Sequence, residues 1–180
     1  MKLNKILLIT PPYHSGVVES AGVWLNVGFV YIAGSLRQAG YEPVYYDAMS
    51  YWHGYEEIAR RIIDERPDVV ATTAFTAAVV DALKVLKLSK EIDPGIVTVM
   101  GNVHATFCYE EILKEHHQYV DFIVRGEGEE TLVELLDCLN NKDRPEKVRS
   151  IAFYRDGQVI ATTRTLYKGP GCTASSLGPC

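Results

Sequence analysis

The sequence predicts an α/β fold: a flavodoxin-like (Rossmann-like), doubly wound sheet of five parallel strands in the order 2-1-3-4-5. Short apolar runs alternate with segments of helical period up to about residue 140. Most of these runs are continuously apolar, as expected of strands that are covered on both faces. Right-handed crossovers between such strands make this order the commonest solution for five strands.

The strands and helices follow from the spacing of apolar residues. Phe29, Ile32 and Leu36 repeat at helical intervals before Gly40, and a second helix runs from Tyr55 to about residue 62, before Pro67. Further helices are predicted over about residues 77–92, 109–116 and 129–139. The predicted strands cover residues 5–10, 43–48, 68–74, 96–101 and 121–126.

A β-hairpin is predicted after the parallel unit. Its strands cover residues 150–154 and 159–163, with a turn at residues 155–157. The predicted organisation is a domain over residues 1–145, a hairpin and linker over 146–166, and a tail over 167–180. That tail is rich in Gly, Ser and Pro, and we expect it to be disordered or non-native.

Composition excludes several classes of protein. A net charge of -5 with no basic stripe disfavours nucleic acid as a partner. No apolar stretch reaches the roughly 20 residues of a transmembrane helix, and no signal-peptide pattern is seen, so a cytoplasmic protein is expected. The four cysteines form no Cys-x-x-Cys pair, which disfavours a structural zinc site.

The candidate ligand-binding residues follow the ends of the predicted strands. In an open α/β sheet the ligand lies beyond the carboxyl ends of the strands, because helix N-termini and backbone amides converge there. Small and hydroxyl residues in these loops would let a bulky, mostly neutral cofactor approach the main chain and form hydrogen bonds. The candidates are Tyr13, His14, Ser15, Gly16, Thr72, Thr73, Thr76, Gly101, Asn102, His104, Thr106, Gly126, Glu127 and Gly128.

A structural interpretation competes with the binding one for each residue. Gly126 and Gly128 could only form a tight turn, Glu129 could only favour a helix N-terminus, and Thr76 could only cap one. A phosphate loop is disfavoured, because three carboxylates follow Gly126 closely and no Gly-x-Gly-x-x-Gly or Walker motif is present.

The other histidines are interpreted as structural. His116 and His117 close a predicted helix, where positive charge suits the helix dipole. His53 lies in a loop rich in aromatic residues, where a packed or solvated histidine is commoner than a ligand. No pair of histidines has the spacing of a hydrolytic zinc site.

Five segments together resemble the cobalamin-binding domain of radical S-adenosylmethionine enzymes, over about residues 3–163. Arg-Gly-Glu-Gly-Glu is typical of cobalamin-dependent members in general. Residues 13–16, 47–49 and 101–107 together resemble more closely the branch of anaerobic oxidative cyclases that act on magnesium-protoporphyrin IX monomethyl ester. The segments are residues 10–16 (Thr-Pro-Pro-Tyr-His-Ser-Gly), 47–49 (Asp-Ala-Met), 65–70 (Glu-Arg-Pro-Asp-Val-Val), 101–107 (Gly-Asn-Val-His-Ala-Thr-Phe) and 124–130 (Val-Arg-Gly-Glu-Gly-Glu-Glu).

The resemblance implies a cofactor and partners. It implies that the domain binds cobalamin and that Thr72, Thr73 and the Gly101 loop hold its nucleotide tail. S-adenosylmethionine, a [4Fe-4S] cluster and the porphyrin substrate of bacteriochlorophyll synthesis would belong to a downstream radical module. The Cys-x-x-x-Cys-x-x-Cys motif of that module is absent from these 180 residues, so we expect the chain alone to be inactive.

A second departure concerns the cobalt. Corrinoid proteins with a histidine ligand carry Asp-x-His-x-x-Gly after the first strand, whereas this chain has Pro12 and Val17 in place of the Asp and Gly. We therefore predict that no fixed imidazole ligates cobalt, with His14 as the first candidate should a ligand exist.

Two other functions remain open. One is a cobalamin-dependent radical methylase, and the other is a flavodoxin-like binding or signalling domain without a cofactor. We further expect Gly101→Val or Gly126→Val to abolish corrinoid uptake with the fold intact.

Overall fold

One mostly parallel sheet organises the chain. A computed structural model describes residues 2–13 and 26–164. Its strands within these ranges are β1 (Lys5–Thr10), β2 (Glu42–Asp47), β3 (Val69–Thr73), β4 (Val97–Gly101), β5 (Phe122–Val124), β6 (Ile151–Arg155) and β7 (Gln158–Ala161).

The strand order agrees with the prediction. The sheet runs β2-β1-β3-β4-β5-β6-β7, with the first five strands parallel. The predicted order 2-1-3-4-5 is therefore confirmed. The hairpin β6–β7 pairs antiparallel with β5 and extends the sheet by two strands.

Helices cover both faces of the sheet. In the described ranges they are α1 (Val27–Gln38), α2 (Tyr55–Glu65), α3 (Val79–Ile92), α4 (Val103–Phe107), α5 (Tyr109–His116) and α6 (Glu129–Asn140), with short 3₁₀ turns at Thr76–Ala78 and Pro145–Lys147.

Each strand contributes to two separate cores. In β1, Leu7 and Ile9 pack into the core under α2, α3 and α5, whereas Ile6 and Leu8 pack into the core under α1 and α6. Alternate side chains of a strand point to opposite faces, so continuously apolar strands build a three-layer sandwich. The predicted doubly wound architecture is confirmed.

The structure corrects three details. Strand β5 is shorter than predicted, because Gly126 has a φ of +89° and turns the chain away from the sheet. The segment after β4 forms the five-residue helix α4, which is too short to show helical periodicity in the sequence. The hairpin turns over two residues, Asp156 (φ 50°) and Gly157 (φ 82°), rather than three.

Some expectations fall outside the described residues. They include the predicted disordered or non-native tail at 167–180 and the loop after Tyr13. Within the described ranges, no helix is long and apolar enough to cross a membrane.

A carboxylate links several elements at the amino-terminal edge of the sheet through hydrogen bonds. Asp121 Oδ2, just before β5, accepts hydrogen bonds from Lys90 Nζ (2.6 Å) and from the backbone N–H (2.8 Å) and hydroxyl (3.1 Å) of Thr98. It therefore joins α3, β4 and β5. Lys90 is mostly covered and also donates to the carbonyl of Ile96 (2.7 Å).

We expect Asp121→Ala to destabilise the fold by about 1–3 kcal/mol, because it leaves buried donors without their acceptor. The free energy of unfolding, measured with urea, tests this. Asp143→Ala is the control, since Asp143 is exposed and its pair with Lys147 is worth at most about 0.5 kcal/mol. Equal losses in the two variants would contradict the role given to Asp121.

Candidate functional site

A cavity opens at the carboxyl edge of the sheet, beside the ends of β3, β4 and β5. Its volume is about 320 Å³, near the lower end of the range of about 300–1,000 Å³ found for ligand pockets. Eight sequence-predicted residues line it: Thr72, Thr73, Gly101, Asn102, Thr106, Gly126, Glu127 and Gly128. The loops that the sequence singled out on β3, β4 and β5 thus meet at one site.

Hydroxyl and amide groups connect these loops to one another. Asn102 Nδ2 donates to Thr73 Oγ1 (2.6 Å), which links the ends of β3 and β4. Thr106 Oγ1 donates to the carbonyl of Asn102 (2.9 Å) and accepts from the N–H of Gly126 (3.0 Å). Thr72 Oγ1 donates to the carbonyl of Ile9 on β1 (3.0 Å). The polar side of the cavity is therefore held by a network spanning four strands.

Helices α1 and α6 and the strand surface supply the apolar walls. Helix α1 begins after Asn26, whose Oδ1 accepts from the N–H of Phe29 (3.2 Å). This start places Phe29 and Ile32 against the cavity, and Leu132 of α6 lines it as well. The remaining apolar lining consists of Ala71, Val99, Val103, Phe107 and Val124.

The three glycines have different roles. A Cβ on Gly101 would meet no atom closer than the Val124 carbonyl oxygen (3.9 Å), so this glycine leaves open space in the cavity. A Cβ on Gly128 would lie 3.1 Å from Ile32 Cδ1, so this glycine permits a close approach of α1. At Gly126 the φ of +89° requires a conformation that L side chains rarely adopt.

This geometry bears on the expectation that both glycine variants keep the fold. Gly126→Val would strain the backbone whatever space surrounds it, so we expect that variant to be destabilised. At Gly101 the substitution remains compatible with the fold, because the φ there is ordinary and the space is open.

Asn102 has a strained backbone at the site. Its φ of 82° and ψ of -176° fall in a region that is essentially restricted to glycine and costs a non-glycine residue about 1–3 kcal/mol. The side chain compensates by accepting from the N–H of Val103 (2.6 Å) and donating to Thr73. Such strain persists where surrounding contacts over-determine the conformation, which is typical of ligand sites.

Three other predicted residues, Tyr13, Thr76 and His104, do not line the cavity. His104 Nδ1 lies 3.2 Å from Thr76 Oγ1, which joins the first turn of α4 to the 3₁₀ turn after β3. Tyr13 forms a tight turn, with its N–H donating to the carbonyl of Pro11 (2.8 Å). His14, Ser15 and Gly16 lie outside the described residues, and their roles stay predictions.

The Asp47 segment organises the loop after β2. Asp47 is buried and accepts hydrogen bonds from the backbone N–H of Ser50 (3.1 Å), from the Ser50 hydroxyl (2.5 Å) and from Tyr45 Oη (3.1 Å). Burial is the main cause that raises the pKa of Tyr45, so its phenol stays a neutral donor. Asp47 does not line the cavity.

The structural interpretation of the other histidines agrees with their contacts. His53 Nδ1 lies 2.6 Å from Tyr46 Oη, and His116 Nδ1 lies 2.7 Å from Tyr119 Oη. The His117 ring stacks on Tyr154 with 4.0 Å between centroids.

Sequence reasoning missed several residues of the lining. Phe29 and Ile32 belong to a predicted apolar helix stripe, and Leu132 falls within the helix predicted over 129–139. An apolar stripe does not show where a core gives way to a cavity. Asn26 and Gly28 precede the first clear period of α1, and Arg164 follows the hairpin, so no local signal marked them. All six line the cavity.

In the described residues, no group of three or more His, Cys, Asp or Glu side chains could hold a metal ion.

The fold and the edge cavity define a Rossmann-like ligand-binding domain. Residues 13–136 match the B12 binding domain family, and the chain belongs to that family.

Individual relatives agree with this assignment. The chain is 39% identical over 164 residues to the anaerobic magnesium-protoporphyrin IX monomethyl ester cyclase of Rubrivivax gelatinosus. It is 33% identical over 160 residues to an uncharacterized methyltransferase of Pyrococcus horikoshii. Each match covers 88% of this chain but only 29% and 34% of the respective relative. The chain thus spans about a third of the length of these proteins.

A solved structure supports the fold. The cobalamin-dependent S-adenosylmethionine radical enzyme OxsB, with aqua-cobalamin and S-adenosylmethionine bound, superposes with a TM-score of 0.77 at 19% identity. The match covers 92% of this chain and 23% of that one.

The strain at Asn102 can be measured with a matched pair of variants. Asn102→Gly and Asn102→Ala both remove the side-chain hydrogen bonds, but only glycine adopts the observed conformation freely. Strain of about 1–3 kcal/mol exceeds the extra unfolded-chain entropy of glycine, about 0.5–1 kcal/mol. We therefore expect Asn102→Gly to be the more stable of the two in denaturant unfolding. Greater stability of the alanine variant would mean that the backbone is unstrained.

Proposed function

We propose that this chain binds cobalamin, with the nucleotide tail of the cofactor in the cavity and the corrin ring over the carboxyl edge of the sheet. The single observation that carries the proposal is the cavity beside the ends of β3, β4 and β5, lined by eight of the residues predicted from sequence. Membership of the B12 binding domain family supports the choice of ligand.

The residues present fit the tail of the cofactor. The cavity is too small for a whole corrinoid, but its volume suits the flat, largely apolar base at the end of the tail. Phe29, Ile32 and Leu132 would contact the faces and edges of that base. Thr73, Asn102 and Thr106 would offer hydroxyl and amide groups to its sugar.

The rim offers an apolar surface for the ring. Phe75, Val103 and Phe107 are 54%, 57% and 72% exposed at this edge. Exposed apolar side chains grouped beside a cavity mark an interaction surface. When bound, cobalamin would supply a cobalt centre for reaction, while the residues of this chain hold and orient it.

For the cobalt, we propose that no fixed histidine of this domain is a ligand. Pro12 and Val17 replace the Asp and Gly that accompany a ligating histidine in other corrinoid proteins. His14 is the first candidate should a ligand exist.

For the whole protein, we propose an anaerobic oxidative cyclase that acts on magnesium-protoporphyrin IX monomethyl ester. The identity to a cyclase of that name over most of the chain supports this choice. S-adenosylmethionine, a [4Fe-4S] cluster and the porphyrin would be bound by a downstream radical module. A radical methylase is the second candidate, supported by the methyltransferase relative.

Product analysis of the full-length protein separates the two enzymes. With the porphyrin ester and S-adenosylmethionine under reducing, anaerobic conditions, a cyclase yields a product with the additional ring and a ketone. A methylase yields a product heavier by one methylene. Mass spectrometry distinguishes these outcomes, and a methylated product would remove the cyclase proposal.

Cobalamin binding itself is tested by titration. We expect the chain to bind cobalamin with a stoichiometry of one, with a visible spectrum shifted to the base-off form, because the base would be drawn into the cavity. A spectrum identical to that of free cobalamin at saturating protein would remove the proposal.

Gly101→Val provides the site test. Its side chain would fill the cavity, so we expect affinity for cobalamin to fall by about 10- to 100-fold, as overpacking costs about 1–3 kcal/mol. The melting temperature should stay close to that of the parent chain. Gly34→Val is the control, because it places the same side chain on an exposed part of α1 where a Cβ meets no atom within 4 Å. Unchanged affinity in Gly101→Val would place the tail elsewhere.

A further inference from the structure

Arg164 lies at the mouth of the cavity, held there by the segment that follows β7. The N–H of Thr162 donates to the carbonyl of Ile151 (2.9 Å), and the N–H of Ser150 donates to the carbonyl of Thr163 (3.0 Å). The guanidinium of Arg125 also donates to the carbonyl of Thr162. These bonds extend the hairpin pairing by two residues, so the position of Arg164 is fixed by backbone rather than by its own side chain.

The guanidinium lies across Gly126 and over Phe107. A Cβ on Gly126 would come within 3.3 Å of Arg164 Nε, so the missing side chain leaves room for the arginine. Its Cζ lies 5.8 Å from the centre of the Phe107 ring, a distance typical of a cation–π contact. Arg164 is exposed and lines the cavity, which places it between the interior and solvent.

The positive charge of Arg164 distinguishes it from the other residues that line the cavity. Among the lining residues that the structure describes, Arg164 is the one lysine or arginine, and Glu127 and Glu129 are the acids. None of the ion pairs within residues 2–13 and 26–164 includes Arg164. Its donors are therefore available to an anion, and its charge offsets the two carboxylates that would repel one.

We propose that Arg164 binds the phosphodiester of the cobalamin nucleotide tail, an inference that rests on the proposed function. The phosphodiester joins the base to the corrin side chain and is the anionic group of an arm that is otherwise neutral. With the base among Phe29, Ile32 and Leu132 and the ring outside, the phosphate must lie where the cavity opens. That is the position of Arg164, whose planar group suits a phosphate.

Two substitutions separate charge from shape. We expect Arg164→Gln to weaken cobalamin binding by about 10- to 100-fold, as for the loss of a hydrogen bond to a charged group, whereas Arg164→Lys, which keeps the charge but not the planar group, should lose less affinity. The difference between the two should shrink in 1 M NaCl, where the screening length is about 3 Å. Affinity is measured by titration of the visible spectrum of cobalamin.

Cobinamide and a distant arginine serve as controls. Cobinamide has the corrin but neither phosphodiester nor base, so Arg164→Gln should leave its affinity unchanged. Arg155→Gln removes the same charge at the turn end of the hairpin, where Arg155 pairs with Glu146, and should leave cobalamin binding unchanged.

The measurements distinguish failure of the proposed function from failure of the inference about Arg164. A parent chain that binds neither corrinoid overturns the proposed function and this inference with it. A parent chain that binds cobalamin, with equal affinity in the Gln and Lys variants or equal losses for cobalamin and cobinamide, overturns the inference alone. Tighter binding in Arg164→Gln would mean that the side chain obstructs the mouth.

Discussion

The convergence of parallel strands at one edge is the constraint on which the site depends. Parallel strands bring their carboxyl ends to the same edge of the sheet. Residues far apart in sequence therefore become neighbours through strand direction alone. The hydrogen bonds from Asn102 to Thr73 and from Gly126 to Thr106 turn this proximity into a fixed arrangement. They use side chains of modest size, which leaves volume beneath them for a ligand.

Backbone strain and exposed apolar side chains occur together at the carboxyl edge of the sheet. The amino-terminal edge is fastened by Lys90, Thr98 and Asp121, whose groups satisfy one another. At the carboxyl edge, Asn102 adopts a backbone conformation that favours glycine, and Phe75 and Phe107 are left exposed. The carboxyl edge thus combines an unfavourable backbone conformation with exposed aromatic side chains, a combination that is common at functional sites.

The sequence revealed the fold because its signals are local and repeated. Within residues 2–13 and 26–164, apolar runs and helical periods located each helix of eight or more residues. The general order of doubly wound sheets then predicted the arrangement of β1 to β5. Thr72, Thr73, Gly101 and Thr106 were found for the same reason, since they lie at or just after the carboxyl ends of strands. Helix α4 was missed because five residues show no period. Phe29 and Arg164 could not be found this way: one belongs to an ordinary apolar stripe, and the other reaches the cavity through long-range pairing of the hairpin.

The absence of a side chain at Gly128 lets Ile32 of helix α1 approach closely. Helix α1 rests against the loop before α6 at a point where even one added carbon would come within 3.1 Å of Ile32 Cδ1. A side chain at position 128 would push the end of the Ile32 side chain aside, and Ile32 lines the cavity. The shape of the cavity therefore depends on a glycine that acts through a side chain of a neighbouring helix.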